Sequence, residues 1–137
     1  MTTKSSHASP ILVTGAAGAV GSIGRNLTEM LVAKGHRVRA LVRREDERAE
    51  ALRQLGAEVM QGDLTDLTAM HRAIEDCARI YFGMSVSTDY LTATINTAAV
   101  ARNHGVEAFV NMSQMTVTQM SITETNSTNC TGWRNKP

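Results

Sequence analysis

The sequence predicts an α/β fold, a doubly wound parallel sheet of about five strands, on three observations. Short β-rich runs alternate with helical periods along the chain, beginning with "PILVT" at Pro10–Thr14. That run is continuously apolar at Ile11, Leu12 and Val13, as expected for a strand covered on both faces. Helical segments close on glycine, at Gly35, Gly56 and Gly105, a residue that takes the left-handed conformation ending a helix. Alternation at this spacing implies parallel strands joined by right-handed crossovers.

From Ser22 to Lys34 the apolar positions Ile23, Leu27, Met30 and Leu31 fall at i, i+4, i+7 and i+8, one stripe of an α-helix. A second strand, Arg37–Val42, leads to a charged helix over Arg44–Leu55 and a third strand, Glu58–Gln61. The third helix, about Asp66–Cys77, places Leu67, Met70, Ile74 and Cys77 on one face, and a strand at Arg79–Phe82 follows. Val38, Val59 and Ile80 recur at one constant spacing, marking the repeated unit. A fourth helix, Asp89–Asn103, hands over after Gly105 to a fifth strand, Ala108–Met112. The expected organisation is one domain over residues 10–120, between a flexible tail at 1–9 and an irregular segment at 121–137.

Composition removes several function classes. Fourteen basic against thirteen acidic residues, scattered along the chain, form no stripe suited to nucleic acid. No run of eighteen apolar residues exists, and the polar opening "MTTKSSHAS" has no signal-peptide core, so the expectation is a soluble, cytoplasmic chain without a membrane partner. Two cysteines, Cys77 and Cys130, make neither a disulfide framework nor a CxxC site, which fits a reducing compartment. No two of His7, His36, His71 and His104 share metal-ligand spacing, so all four are expected to be structural or exposed, with no metal. Cys77 continues an apolar helix face and reads as core.

The stretch "VTGAAGAVGSIGRNL" carries Gly15, Gly18, Gly21 and Gly24 directly after the first strand and at the mouth of the first helix. Open parallel sheets bind ligands at this place, with unpaired helix N–H groups facing an anion, and a pyrophosphate is the natural guest. Gly15 permits the tight turn, Gly18 lets the backbone approach phosphate, and the last glycine lets the helix pack on the strand. The bland alternative is glycines that merely make a tight βα turn.

The TGxxGxxG pattern at Thr14–Gly21, with "GHRVRALVR" at Gly35–Arg43 and "GDLTD" at Gly62–Asp66, resembles the atypical short-chain dehydrogenases/reductases, particularly the NmrA-like group, from Pro10 to about Thr125. The resemblance implies a Rossmann-like sheet and a nicotinamide dinucleotide. Ten residues separate Gly24 from Gly35, the family's usual interval after its last motif glycine, so the turn holds three extra residues and two registers are open. Candidate cofactor-binding residues of the turn are therefore Gly15, Ala17, Gly18, Val20, Gly21, Ile23 and Gly24, with Val20 or Ile23 in the family position before the last glycine.

Arg43 and Arg44 stand after the second strand, where NAD-binding relatives place an acid and a 2′-phosphate favours arginine. NADP(H) is accordingly the preferred cofactor and NAD(H) the alternative, unless Glu45 and Asp46 pair with the two arginines. By resemblance Asp63 reaches the adenine amino group with Leu64 against the ring, while Asp63 reads equally as a helix-capping acid. Gly83, Met84 and Ser85 stand where relatives line the cofactor's ribose. Ser113 stands where relatives keep Ser or Thr near the nicotinamide, a weak catalytic candidate that is otherwise an ordinary turn residue.

The chain has no YxxxK pair: Tyr81 is followed four residues later by Ser85 and Tyr90 by Thr94. NmrA-like proteins often dispense with that tyrosine. Full members also carry a C-terminal substrate lobe, which this sequence is expected to lack. The end, "NSTNCTGWRNKP", departs from the pattern; read one base out of register its last codons can encode Leu-His-Trp-Leu-Ala-Glu-Gln-Ala, which resembles a helix of the relatives. A frameshifted tail, a short paralogue and a cloning product are the open explanations. The resemblance implies an NADP(H)-dependent oxidoreductase acting on a quinone or small carbonyl, or else a non-catalytic NADP(H) sensor or inactive truncated paralogue. Self-association is a further expectation, since an uncovered sheet edge favours it.

Overall fold

A computed structural model describes residues 9–18, 23–85 and 87–112. The elements alternate as β1 (Ile11–Thr14), α1 (Ile23–Ala33), β2 (Val38–Val42), α2 (Glu47–Gln54), β3 (Glu58–Gln61), α3 (Leu67–Ile74), β4 (Arg79–Phe82), α4 (Tyr90–Asn103) and β5 (Ala108–Asn111). Five parallel strands form one sheet in the order β3-β2-β1-β4-β5. Ile11 stands beside Val38 on one side and Arg79 on the other, so β1 is the central strand and β1–β4 the point where strand order reverses. The Rossmann-like sheet predicted from the sequence is the observed fold. The predicted tails at 1–9 and 121–137 fall almost wholly outside the described residues.

Two apolar layers cover the sheet because β1 alternates its side chains between faces. Ile11 and Val13 pack with Val38, Ala40, Val42, Ala49 and Leu52 beneath α1 and α2. Leu12 points the other way, into Leu41, Met70, Ile74, Ile80 and Val100 beneath α3 and α4. All four residues of β1 are buried, as its apolar run requires, whereas β3 and β5 at the edges are largely exposed.

The starts of α2 and α3 and the glycines after three helices follow the capping rules. Asp46 and Asp66 accept from the first-turn N–H groups of α2 and α3, and Gly35, Gly56 and Gly105 all take positive φ. The C-terminal end of α3 has an additional fastening from β2. The Arg39 guanidinium, pinned at Nε by Glu58 at 3.1 Å, donates to the carbonyls of Ala73 at 2.9 Å and Glu75 at 2.7 Å.

The apolar stripe of α1 differs from its prediction. Ile23 and Met30 are exposed, at 50% and 59%, while Gly24 and Thr28 are buried and Leu27 and Leu31 pack from the flank. The helix rests on the turn after β1 through its smallest residue, and the Thr28 hydroxyl is absorbed by the Gly24 carbonyl at 2.8 Å. In α3, Met70, Ile74 and Cys77 are buried as predicted, but Leu67 opens the first turn and is 51% exposed. Cys77 is a core residue, and burial pushes its thiol up to about 11.

Candidate functional site

The C-terminal ends of the strands converge on a cleft of about 360 Å³, within the range of small-molecule sites. The β1–α1 connection contributes Gly15, Ala17 and Gly18; the β2–α2 connection contributes Arg43, Arg44 and Asp46, and the first turn of α2 contributes Arg48. Gly62, Asp63, Leu64 and Thr65 enter after β3, and Gly83, Met84, Ser85, Ser87 and Asp89 after β4.

Two close approaches shape the cleft. Gly15 has φ of +74°, and a Cβ there would lie 2.6 Å from the Gly83 carbonyl oxygen, so no side chain fits between the ends of β1 and β4. The Gly18 N–H donates to the Gly15 carbonyl at 3.2 Å and closes the turn. A Cβ on Gly24 would lie 3.0 Å from the backbone of both Ala16 and Gly15. Packing of α1 against the turn after β1 therefore falls on Gly24. Neither Gly24 nor Ile23 lines the cleft; Val20 and Gly21 lie outside the described residues, as does Ser113.

Thr14 holds the two strand ends together, a role that sequence reading passed over. Its buried hydroxyl donates to the Gly83 carbonyl at 2.8 Å and accepts the Gly83 N–H at 2.9 Å. Both bonds bridge strands that meet only in the tertiary fold.

The charges beyond β2 sort themselves in a definite way. Glu45 receives Arg53 at 2.6 Å and Asp46 receives Arg48 at 2.7 Å. The two neighbouring acids are thus taken by other arginines, and no ion pair engages Arg43 or Arg44 among the described residues, although the charge of Arg43 helps to hold down the Asp63 carboxyl. The Arg48 guanidinium beside Asp46 holds that carboxyl below the usual range. Arg48 itself lies at the cleft and was not among the predicted residues.

Asp63 forms a tight local turn, accepting from the Thr65 N–H at 2.8 Å and the Thr65 hydroxyl at 2.7 Å, both on Oδ1. Those bonds, the backbone one first, hold its carboxyl below the usual carboxylate range. The helix cap is Asp66, so Asp63 remains an ionised acceptor on the cleft wall beside half-buried Leu64. On the same cleft, the Ser87 hydroxyl is buried and meets no hydrogen-bond partner among the described residues. A buried polar group without a partner costs free energy, and a polar ligand in the cleft would relieve it. Asp89 precedes α4 without capping it through its side chain. The convergence of strand ends, bare glycine backbone, two arginines outside any described ion pair and a buried hydroxyl fits a polar, anionic ligand such as a dinucleotide.

Residues 18–135 match the family described as NAD(P)H-binding. The chain belongs to that NAD(P)H-binding family. Among curated proteins it is similar to sterol demethylase protein B of Methylococcus capsulatus, with 42% identity over 64 residues, 47% of this chain and 19% of that one. Among solved structures it shares the fold of a NmrA variant, at 23% identity and a TM-score of 0.71, covering 82% of this chain and 35% of that one. It also shares the fold of Citrobacter sp. triphenylmethane reductase complexed with NADP(H), at 24% identity and a TM-score of 0.64, covering 88% and 43%. The NmrA-like resemblance read from the sequence holds, and the chain spans less than half the length of these relatives. Among the described residues, no helix is long and apolar enough to cross a membrane.

Proposed function

We propose that this chain is the NADP(H)-binding part of an oxidoreductase-like protein of the NAD(P)H-binding family, with the dinucleotide lying across the β1–β4 crevice. The observation that carries the reading is the close approach of Gly15 to Gly83 at the strand-order reversal, beside Arg43 and Arg44, which enter no ion pair among the described residues. Gly15, Ala17 and Gly18, with Val20 and Gly21 beyond them, would approach the pyrophosphate. Arg43 and Arg44 would take the 2′-phosphate, Asp63 and Leu64 the adenine, and Gly83, Met84 and Ser85 the ribose. A bound nicotinamide supplies the hydride chemistry, and the chain supplies binding and orientation. A quinone or small carbonyl is the substrate class we assign to the intact protein, and a reducing, cytoplasmic setting suits its free, buried Cys77.

A non-catalytic sensor is the second reading, and the tyrosines favour it. Tyr81 donates to Met112 Sδ at 3.2 Å and burial pushes its phenol up, while Tyr90 donates to the Met112 carbonyl at 3.0 Å. No lysine stands four residues after either one.

Titration of NADPH and NADH into the wild-type chain and an Arg43→Ala/Arg44→Ala variant tests the assignment. The variant is expected to lose about 10- to 100-fold in NADPH affinity with NADH unchanged. Equal losses for both nucleotides would remove the 2′-phosphate role. Oxidation of bound NADPH on adding quinones separates the enzyme from the sensor.

A further inference from the structure

We propose that His71 and His104 form a two-imidazole chelate for a divalent transition-metal ion that favours right-angle coordination, copper(II) foremost. His71 sits on α3 and His104 is the C-cap of α4, thirty-three residues later, so no sequence spacing announces the pair. The fold brings His71 Nδ1 and His104 Nε2 to 3.0 Å, with ring centroids 5.2 Å apart and planes inclined at 56°. The site lies away from the dinucleotide cleft, because α4 ends beside the N-terminal edge of β5 whereas the cleft lies beyond the C-terminal strand ends.

The separation is short enough for both nitrogens to reach one ion. Two nitrogens each about 2.0–2.1 Å from one ion stand about 2.9 Å apart at a right angle and about 3.3 Å apart at a tetrahedral angle. The observed 3.0 Å, itself an ordinary hydrogen-bond length, is compatible with cis positions of a square-planar or octahedral ion. In the hydrogen-bonded pair one ring nitrogen donates and the other accepts. The ion displaces that shared proton, which passes to an outer ring nitrogen or to solvent, and each ring turns its lone pair by about 45° toward a point about 1.4 Å off the N–N line. His71 is exposed, so water can fill the remaining positions. No group of three or more potential ligands exists among the described residues, so this is an open two-ligand site and not a closed structural zinc centre. Copper(II) binds imidazole most strongly of the first-row divalent ions.

The test is titration of the full chain with copper(II), followed by the visible d–d band and by thermal unfolding, for the wild type and for His71→Gln, His104→Gln and His36→Gln. One equivalent is expected to saturate the wild type and His36→Gln and to raise Tm by about 5 °C. Each of the other two variants should lose at least about tenfold in affinity. In the unmutated chain, copper should broaden the ring signals of His71 and His104 before those of other histidines, a readout that needs no variant to fold. Unchanged copper affinity in His71→Gln, or first broadening at another histidine, would overturn the proposal.

Discussion

At the scale of single residues, the crevice depends on hydroxyl and carboxyl groups whose partners are fixed by the backbone. Thr14→Val keeps the shape of the side chain but deprives the buried Gly83 N–H and carbonyl of their shared partner. The expected loss is about 2–4 kcal/mol in urea unfolding, largely restored by Thr14→Ser; a loss below about 0.5 kcal/mol would contradict the bridging role. Asp63 makes a pH prediction. Its folded-state pKa lies below that of the unfolded chain, so its contribution is present above pH about 4 and vanishes as pH falls through the folded value. The urea midpoint should therefore decline with acidification below that pH, and less steeply in Asp63→Asn, which retains the acceptor for Thr65 but loses the charge. Parallel declines would assign the acid sensitivity elsewhere.

At the scale of elements, Gly24 explains both how α1 sits and why its face was misread. Periodicity marks Ile23 and Met30 as apolar, but close approach to Ala16 and Gly15 of the turn after β1 goes with a helix face that buries Gly24 and Thr28. Close approach rewards the smallest side chain, a preference that an apolar count cannot register. Gly24→Ala should cost about 1–3 kcal/mol, since backbone atoms at 3.0 Å cannot yield as a flexible side chain would. Denaturant midpoints check this, and a neutral or stabilising substitution would contradict the packing. The strands were legible because their burial follows directly from apolar runs such as Ile11–Val13. Arg43, Arg44 and Asp63 were legible as site candidates from their places after strands, yet the release of the two arginines was not, because it depends on Arg48 and Arg53 drawing the neighbouring acids away. Ser87 and the His71–His104 pair carry no local signal at all; only the tertiary fold buries the one and joins the other.

For the whole molecule, an asymmetry in burial sets two expectations. The centre of the sheet is sealed on both faces, whereas Val110 on the edge strand β5 is 57% exposed beside Met112 at 39%. Exposed strand edges with apolar side chains promote pairing between chains. Light scattering should show concentration-dependent association that Val110→Lys weakens, and a monomer at all concentrations would contradict it. The second expectation concerns the ligand, and amide chemical-shift mapping with NADPH measures it most directly. The account predicts the largest shifts at Gly15, Gly18, Gly62 and Gly83, around the C-terminal ends of β1, β3 and β4, with the opposite edge of the sheet silent. No shifts at saturating NADPH, or shifts confined to that opposite edge, would contradict the central claim.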